Sequence, residues 1–174
     1  KMPGRLRQLD VGGAGQVWVL NPTGEIYRWQ GSAWQKVSGR LKHVSVGADG
    51  TVWGVNRADE VFQYSADGRW KRMPESLSQL DVGEAGQVWG VSASGEVYHR
   101  QRGASQAPDE TGRKGPEGPV TPYVDGGPTC WRKVYGQLKH VSVGADGTVW
   151  GVNRDNKIFR YSGDDEWDLM PGGG

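Results

Sequence analysis

LKHVSVGADGTVWGVNR fills residues 41–57 and returns without a change at residues 138–154. Two looser copies, LRQLDVGGAGQVWVLN from Leu6 and LSQLDVGEAGQVWGVS from Leu77, complete a series whose starts lie 35, 36 and 61 residues apart. A segment of this length cannot bury its apolar side chains alone, so the copies must stack on one another. The copies alternate in type, first with third and second with fourth, as expected if a pair of units was duplicated as a block. The long third interval holds one insertion, about residues 102–129, rich in Gly, Pro and charge, which reads as a loop grafted onto a regular array.

Within the second unit four short runs have strand character, at residues 34–37, 41–46, 51–55 and 61–64. Asp49 and Gly50 separate the second from the third, and an Asp-Gly pair between alternating β-branched residues marks a tight hairpin. No helical period of apolar residues competes. Four short antiparallel strands per repeat, with both faces partly apolar, describe a β-propeller blade. The expected fold is therefore all-β: one domain over residues 1–174, with four-stranded blades starting near residues 6, 41, 77 and 138. Residues 1–4 (KMPG) align with residues 72–75 (RMPE), and residues 167–171 (WDLMP) supply the strand that the start lacks. The expectation is a four-unit ring closed by the C-terminal strand, residues 167–170 entering the blade of residues 6–27.

Composition sets the limits on function. The apolar fraction is 35%, with 29 Gly and nine Trp, so the core rests on a few large rings joined by short strands and turns. The 21 Lys and Arg are scattered among 20 Asp and Glu, a net charge of +1 without the basic stripe that nucleic acid requires. No run of 18 apolar residues and no signal-peptide pattern is present, as also holds for a mature secreted chain. Cys130, the single cysteine, is read as a free thiol in the inserted loop or as half of an intermolecular bridge in a homodimer. Residues 102–117, full of breakers and without an apolar anchor, are expected to move freely.

The text VSVGADGTVWGVN, followed by a short polar turn, VFxYS and then W-x-x-V or W-x-x-M, resembles the tectonin repeat of fish-egg lectins and of horseshoe-crab tectonin-type lectins. GPVTPYVDGGPTCW at residues 118–131 is similar to a connection those lectins carry. Family rings usually have about six blades within the four to eight of propellers, and the family's paired cysteines are absent. The resemblance implies a secreted, multivalent carbohydrate-binding propeller that recognises glycans such as N-acetylglucosamine or bacterial lipopolysaccharide in egg protection or innate defence. A propeller scaffold for protein–protein interaction is the alternative.

A sugar site needs an aromatic face for the pyranose and planar donors or acceptors for its hydroxyls. Trp18, Trp53, Trp89 and Trp150, flanked by valines, read as blade-to-blade core. Trp34, Trp70, Trp131 and Trp167 lie beside polar turns and read as either a core edge or a sugar platform. Asn56 with Arg57, repeated as Asn153 with Arg154, follow a strand in two units only and read as either a turn or a polar sugar contact, placed twice around the ring. His43 and His140 read as interblade hydrogen-bonding groups. No cofactor is expected: Asp10, Asp49, Asp81 and Asp146 have no calcium-loop spacing. No hydrolase, P-loop or metalloprotease motif occurs, so no enzymatic activity is expected.

Overall fold

The computed structural model describes residues 5–102 and 129–171, and its strands form four four-stranded antiparallel sheets, one per repeat. The first holds β1 (Gln8–Val11), β2 (Val17–Leu20), β3 (Glu25–Trp29) and β4 (Trp34–Arg40); the second, β5 (His43–Val46), β6 (Val52–Val55), β7 (Glu60–Tyr64) and β8 (Trp70–Ser76). The third holds β9 (Gln79–Val82), β10 (Val88–Val91), β11 (Glu96–Arg102) and β12 (Thr129–Gln137); the fourth, β13 (His140–Val143), β14 (Val149–Val152), β15 (Ile158–Gly163) and β16 (Glu166–Leu169). The insertion thus joins β11 to β12, and residues 102–117 fall, but for Arg102, outside the described residues. Cys130 is in β12 opposite Gln101, within a strand rather than in the loop assigned to it from sequence.

Local chemistry draws these hairpins. Asp49 Oδ1 accepts from the Thr51 amide at 2.9 Å and hydroxyl at 2.7 Å, and Gly50 supplies the positive φ of 80° that the turn requires. At the next turn Asn56 Oδ1 accepts from the amides of Ala58 and Glu60 at 2.9 and 3.0 Å. Asn21 and Asn153 do the same in the first and fourth sheets.

The sheets stack face to face in chain order, with the inner strands β1, β5, β9 and β13 adjoining one another, as blades fan around a propeller axis. Three apolar cores lie between the four sheets. The first joins Trp18, Leu20, Ile26 and Val37 to Leu41, Val44, Val46 and Val52 of the next sheet, and the other two repeat it. Leu41, Leu77 and Leu138 fit because Gly54, Gly90 and Gly151 lie beneath them: a Cβ there would come within 2.3–2.4 Å of the leucine methyl.

Side chains of the inner strands lock adjacent sheets. The Gln8 amide group donates to Val44 O at 2.7 Å and accepts from Val44 N at 3.0 Å, while Asp10 accepts from Val46 N at 2.7 Å. Gln79 and Asp81 grip Val141 and Val143 in the same way. Between the second and third sheets the partners differ: His43 Nε2 donates to Leu80 O at 2.6 Å, and Ser45 Oγ accepts from Val82 N at 3.1 Å and donates to Asp81 at 2.7 Å. His43 is the interblade group expected of it, and burial holds its imidazole below the ordinary value.

Two expectations are corrected. The C-terminal strand does not enter the first blade: β16 pairs with β15 of its own sheet, and β4 already occupies the outer position of the first. The tight turn at Gly163–Asp165, all at positive φ, makes that local hairpin. Nor does the fourth sheet pack on the first as the others pack in series. Trp18, Trp53 and Trp89 are at most 3% exposed as core residues, but Trp150, with no sheet beyond it among the described residues, is 40% exposed.

Asp81 ties together three sheets, accepting from Ser45, Ser142 and Val143. Asp81→Ala is expected to cost about 2–3 kcal/mol in urea unfolding, since it leaves several donors unpaired, against about 1 kcal/mol for Asp10→Ala. Equal losses for the two would contradict this account.

Candidate ligand-binding cleft

Alternation of strand direction puts the first and third turns of every sheet at one end and the second turn at the other. At the first end, between the first and second sheets, lies a cleft of about 700 Å³. Its walls come from Gln16, Arg28, Trp29 and Gln30 on one side and from the turns at Asp49–Thr51 and Ser65–Gly68 on the other, with Trp18 and Tyr64 at the base.

The strand register explains this wall. Trp18 sits opposite Arg28, and Tyr64 of the next sheet meets the Trp18 ring edge-on at a centroid distance of 4.9 Å. The Arg28 guanidinium lies 6.0 Å from the Tyr64 ring. Gln35 Oε1 accepts from Arg28 Nε at 2.6 Å and from Gln30 Nε2 at 2.7 Å, so one carboxamide holds two donors in place and leaves their other N–H groups to point elsewhere. Trp29, 37% exposed, belongs to the same wall, but alternation along β3 turns its ring to the opposite face of the sheet, tilted against Trp34 at 5.3 Å. Across the cleft Asp67 accepts from Ser65, which holds its carboxyl below the usual range, and also from the Arg69 amide at 3.2 Å.

The same positions in the later junctions are differently filled. Beyond the second sheet, Arg100 takes the place of Tyr64, its guanidinium carbon 4.6 Å from the Trp53 ring centre. Beyond the third, His99 takes the place of Arg28 and stacks on Trp89 at 4.1 Å and 13°. Near it the Arg132–Asp165 ion pair closes at 2.7 Å. Burial, reinforced by Arg132 and opposed weakly by Asp165, lowers His99 to about 4.

The residues singled out from sequence lie elsewhere. Asn56, Arg57, Asn153 and Arg154 sit on second turns, at the far end of the strands, in two separate sheets. Their amide groups build those turns; Arg57 Nη2 lies 3.5 Å from Pro22 O and Arg154 Nη2 donates to Ala93 O at 3.2 Å, each reaching back to the preceding sheet. Trp70, Trp131 and Trp167 pack edge-on against Trp18, Trp53 and Trp89, and Trp70 and Trp167 donate their indole N–H to Ser38 O and Tyr135 O. Trp34 alone of the four faces no preceding sheet. Arg28 and Gln30 were not singled out from the sequence, and neither was Trp29, the one tryptophan of nine that falls outside the two repeated positions. Among the described residues no three His, Cys, Asp or Glu side chains converge on a metal position, and no helix is long and apolar enough to cross a membrane.

The tectonin domain model matches residues 5–116 and 117–173. The chain belongs to the tectonin domain family. Tectonin-1 of Physarum polycephalum is 57% identical to it over 30 residues, which are 17% of this chain and 14% of that protein. Among solved structures, human WBSCR16 superimposes with a TM-score of 0.68 at 12% identity, over 99% of this chain and 55% of that one. YCF48 bound to a D1 peptide gives 0.58 at 16%, over 98% and 54%, and yeast RCC1 (Prp20) bound to Kap60 gives 0.59 at 13%, over 92% and 44%. At such identities the likeness is one of fold. This tectonin domain spans about half the length of those chains.

His99 makes the stability of the tectonin domain pH-dependent. Its folded-state value lies below the 6.5 of the free side chain, so the unfolded chain takes up a proton that the native state refuses. That contribution is intact above pH 6.5 and is lost as pH falls from 6.5 towards 4, on the order of 2–3 kcal/mol. His99→Gln, which borrows the residue of the matching position Gln63, should flatten the melting temperature over that interval. An unchanged pH profile in the variant would refute the assignment.

Proposed function

We propose that this tectonin domain is a carbohydrate-binding module whose ligand enters the cleft between the first and second sheets. The observation that carries the reading is the arrangement of Arg28 and Gln30 on one shared acceptor, beside the half-buried ring of Tyr64. A pyranose offers hydroxyls to fixed planar donors and a C–H face to an aromatic ring, and this cleft has both within a volume suited to one or two sugar rings. Membership of the family supports glycans of the N-acetylglucosamine type, including those of bacterial surfaces, and a role outside the cell in defence or egg protection.

Binding without turnover is the favoured chemistry. Glycoside hydrolysis requires one carboxyl kept protonated and a second ionised across the bond. Of the two carboxylates in the cleft wall, Asp49 is engaged by Thr51 within its own turn, and Asp67 is driven towards the ionised form by Ser65. The Asp67 environment is the reverse of what a general acid requires.

A second reading, recognition of a protein segment, draws on the solved relatives, since YCF48 is seen with a D1 peptide and Prp20 with Kap60. One titration separates the two. With N-acetylglucosamine oligomers as the probe, calorimetry should show saturable binding that Arg28→Ala weakens about 10-fold or more, the loss of a charge-assisted contact. Arg57→Ala, at the far end of the strands, should leave the affinity unchanged. No heat with any glycan of an array, together with capture of a peptide that sugar does not displace, would favour the protein-binding reading instead.

A further inference from the structure

Among the described residues the two end faces of the array are unpartnered, and their residues match one another. Each internal junction buries a second-strand tryptophan under two residues of the next sheet: Trp18 under Tyr64 and Trp70, Trp53 under Arg100 and Trp131, Trp89 under Tyr161 and Trp167. Trp150 ends the series 40% exposed. The residues at the covering positions of the first sheet are Trp29 and Trp34, a directly opposed pair like Tyr64 with Trp70 and Tyr161 with Trp167. They have no tryptophan to cover, yet their rings meet at 5.3 Å and 56°. The two working clamps of the same kind meet at 4.9 Å and 59°, and at 5.2 Å and 60°. The clamp is already formed.

The inner strands agree. The second sheet offers His-Val-Ser-Val (β5) to the Gln-Leu-Asp-Val of the third (β9), through His43 on Leu80 O and Ser45 on Val82 N. The free edge of the fourth sheet is again His-Val-Ser-Val (β13), and the free edge of the first is again Gln-Leu-Asp-Val (β1). Leu9 and Val11 are 55% and 54% exposed on that edge, whereas Leu80 and Val82 are 0% and 5%. One position departs from the pattern: Val19 stands where the other sheets have glycine, fills the seat itself and leaves Leu6 exposed, which keeps the face apolar.

We propose that the chain associates head to tail with a second copy of itself, Trp29 and Trp34 of one copy covering Trp150 of the other. The contact is heterologous, so it must close on itself or propagate. Two copies, each contributing four sheets, close it into a ring of eight, the upper end of the range propellers adopt. Both apolar faces and both open edges are then covered.

Sedimentation of the purified 174-residue chain under reducing conditions tests this. The expected mass is twice 19.0 kDa, or a concentration-dependent ladder if the contact propagates. Trp150→Asp and the pair Leu9→Asp with Trp29→Asp change exposed residues on opposite faces, and each should weaken self-association about 30-fold or more, as loss of an aromatic anchor does. Mixed together, the two variants retain one intact face each and should form a single one-to-one complex, a result that misfolding cannot produce. A monomeric parent chain, variants of unchanged mass, or a mixture that fails to associate would overturn the proposal.

Discussion

The structure depends on the capping of one tryptophan per sheet by the next sheet. No sheet has a core of its own: each is four short strands with an apolar side facing either neighbour. Removing a tryptophan ring from water takes roughly 150–250 Å² out of contact, about 4–6 kcal/mol at ~25 cal/mol per Å², and the two capping residues are bound to the ring by the same contact. Stability is therefore lodged in junctions rather than in sheets, in the nearest-neighbour manner of repeat proteins. The second and third sheets have two junctions each. The first and fourth have one, which makes them the parts that open first.

The two-unit period has a polar cause. The first and third sheets reach forward with Gln and Asp, whose carbonyl and carboxylate oxygens accept the amides of the next inner strand. The second reaches forward with His and Ser, which meet Leu80 O and Val82 N. Ser45 lies against Asp81 and donates to it. An aspartate in place of Ser45 would set two carboxylates side by side in a half-buried position, where one must take up a proton or be expelled. Alternation of a carboxylate unit with a hydroxyl unit avoids that conflict.

The strands were legible because each hairpin is specified locally. Turn residues such as Asp49–Gly50 and Asn56 act within two to four residues of themselves, and the observed β5, β6 and β7 differ from the sequence reading by two residues or fewer. The placement of the last strand was misread because matching Met-Pro text at residues 2–3 and 170–171 suggested an exchange of strands between the ends. A four-residue turn joining β15 to β16 closes at far smaller entropic cost than a strand brought across the whole chain. The candidate site was legible only in part. In the two sheets that have the Asn-Arg pair, Asn shapes the turn and Arg reaches to the sheet before, so repetition there reports a structural contact.

The proposed cleft instead lies where the sheets differ. Two positions, the residue opposite the buried tryptophan and the one following it, read Arg28–Trp29, Gln63–Tyr64, His99–Arg100 and Arg160–Tyr161. The first position of one sheet and the second of the next meet at each junction mouth. Arg28 with Tyr64 leaves an open cleft; His99 turns inward onto Trp89 and gives up its charge to do so. Carried to the association of two copies, the same rule sets Arg160 against Trp29, again an arginine beside an aromatic ring. A head-to-tail pair would then multiply the kind of mouth found between the first and second sheets, and sites facing one way from a single ring gain avidity on a glycan-coated surface through effective concentration rather than through tighter individual contacts.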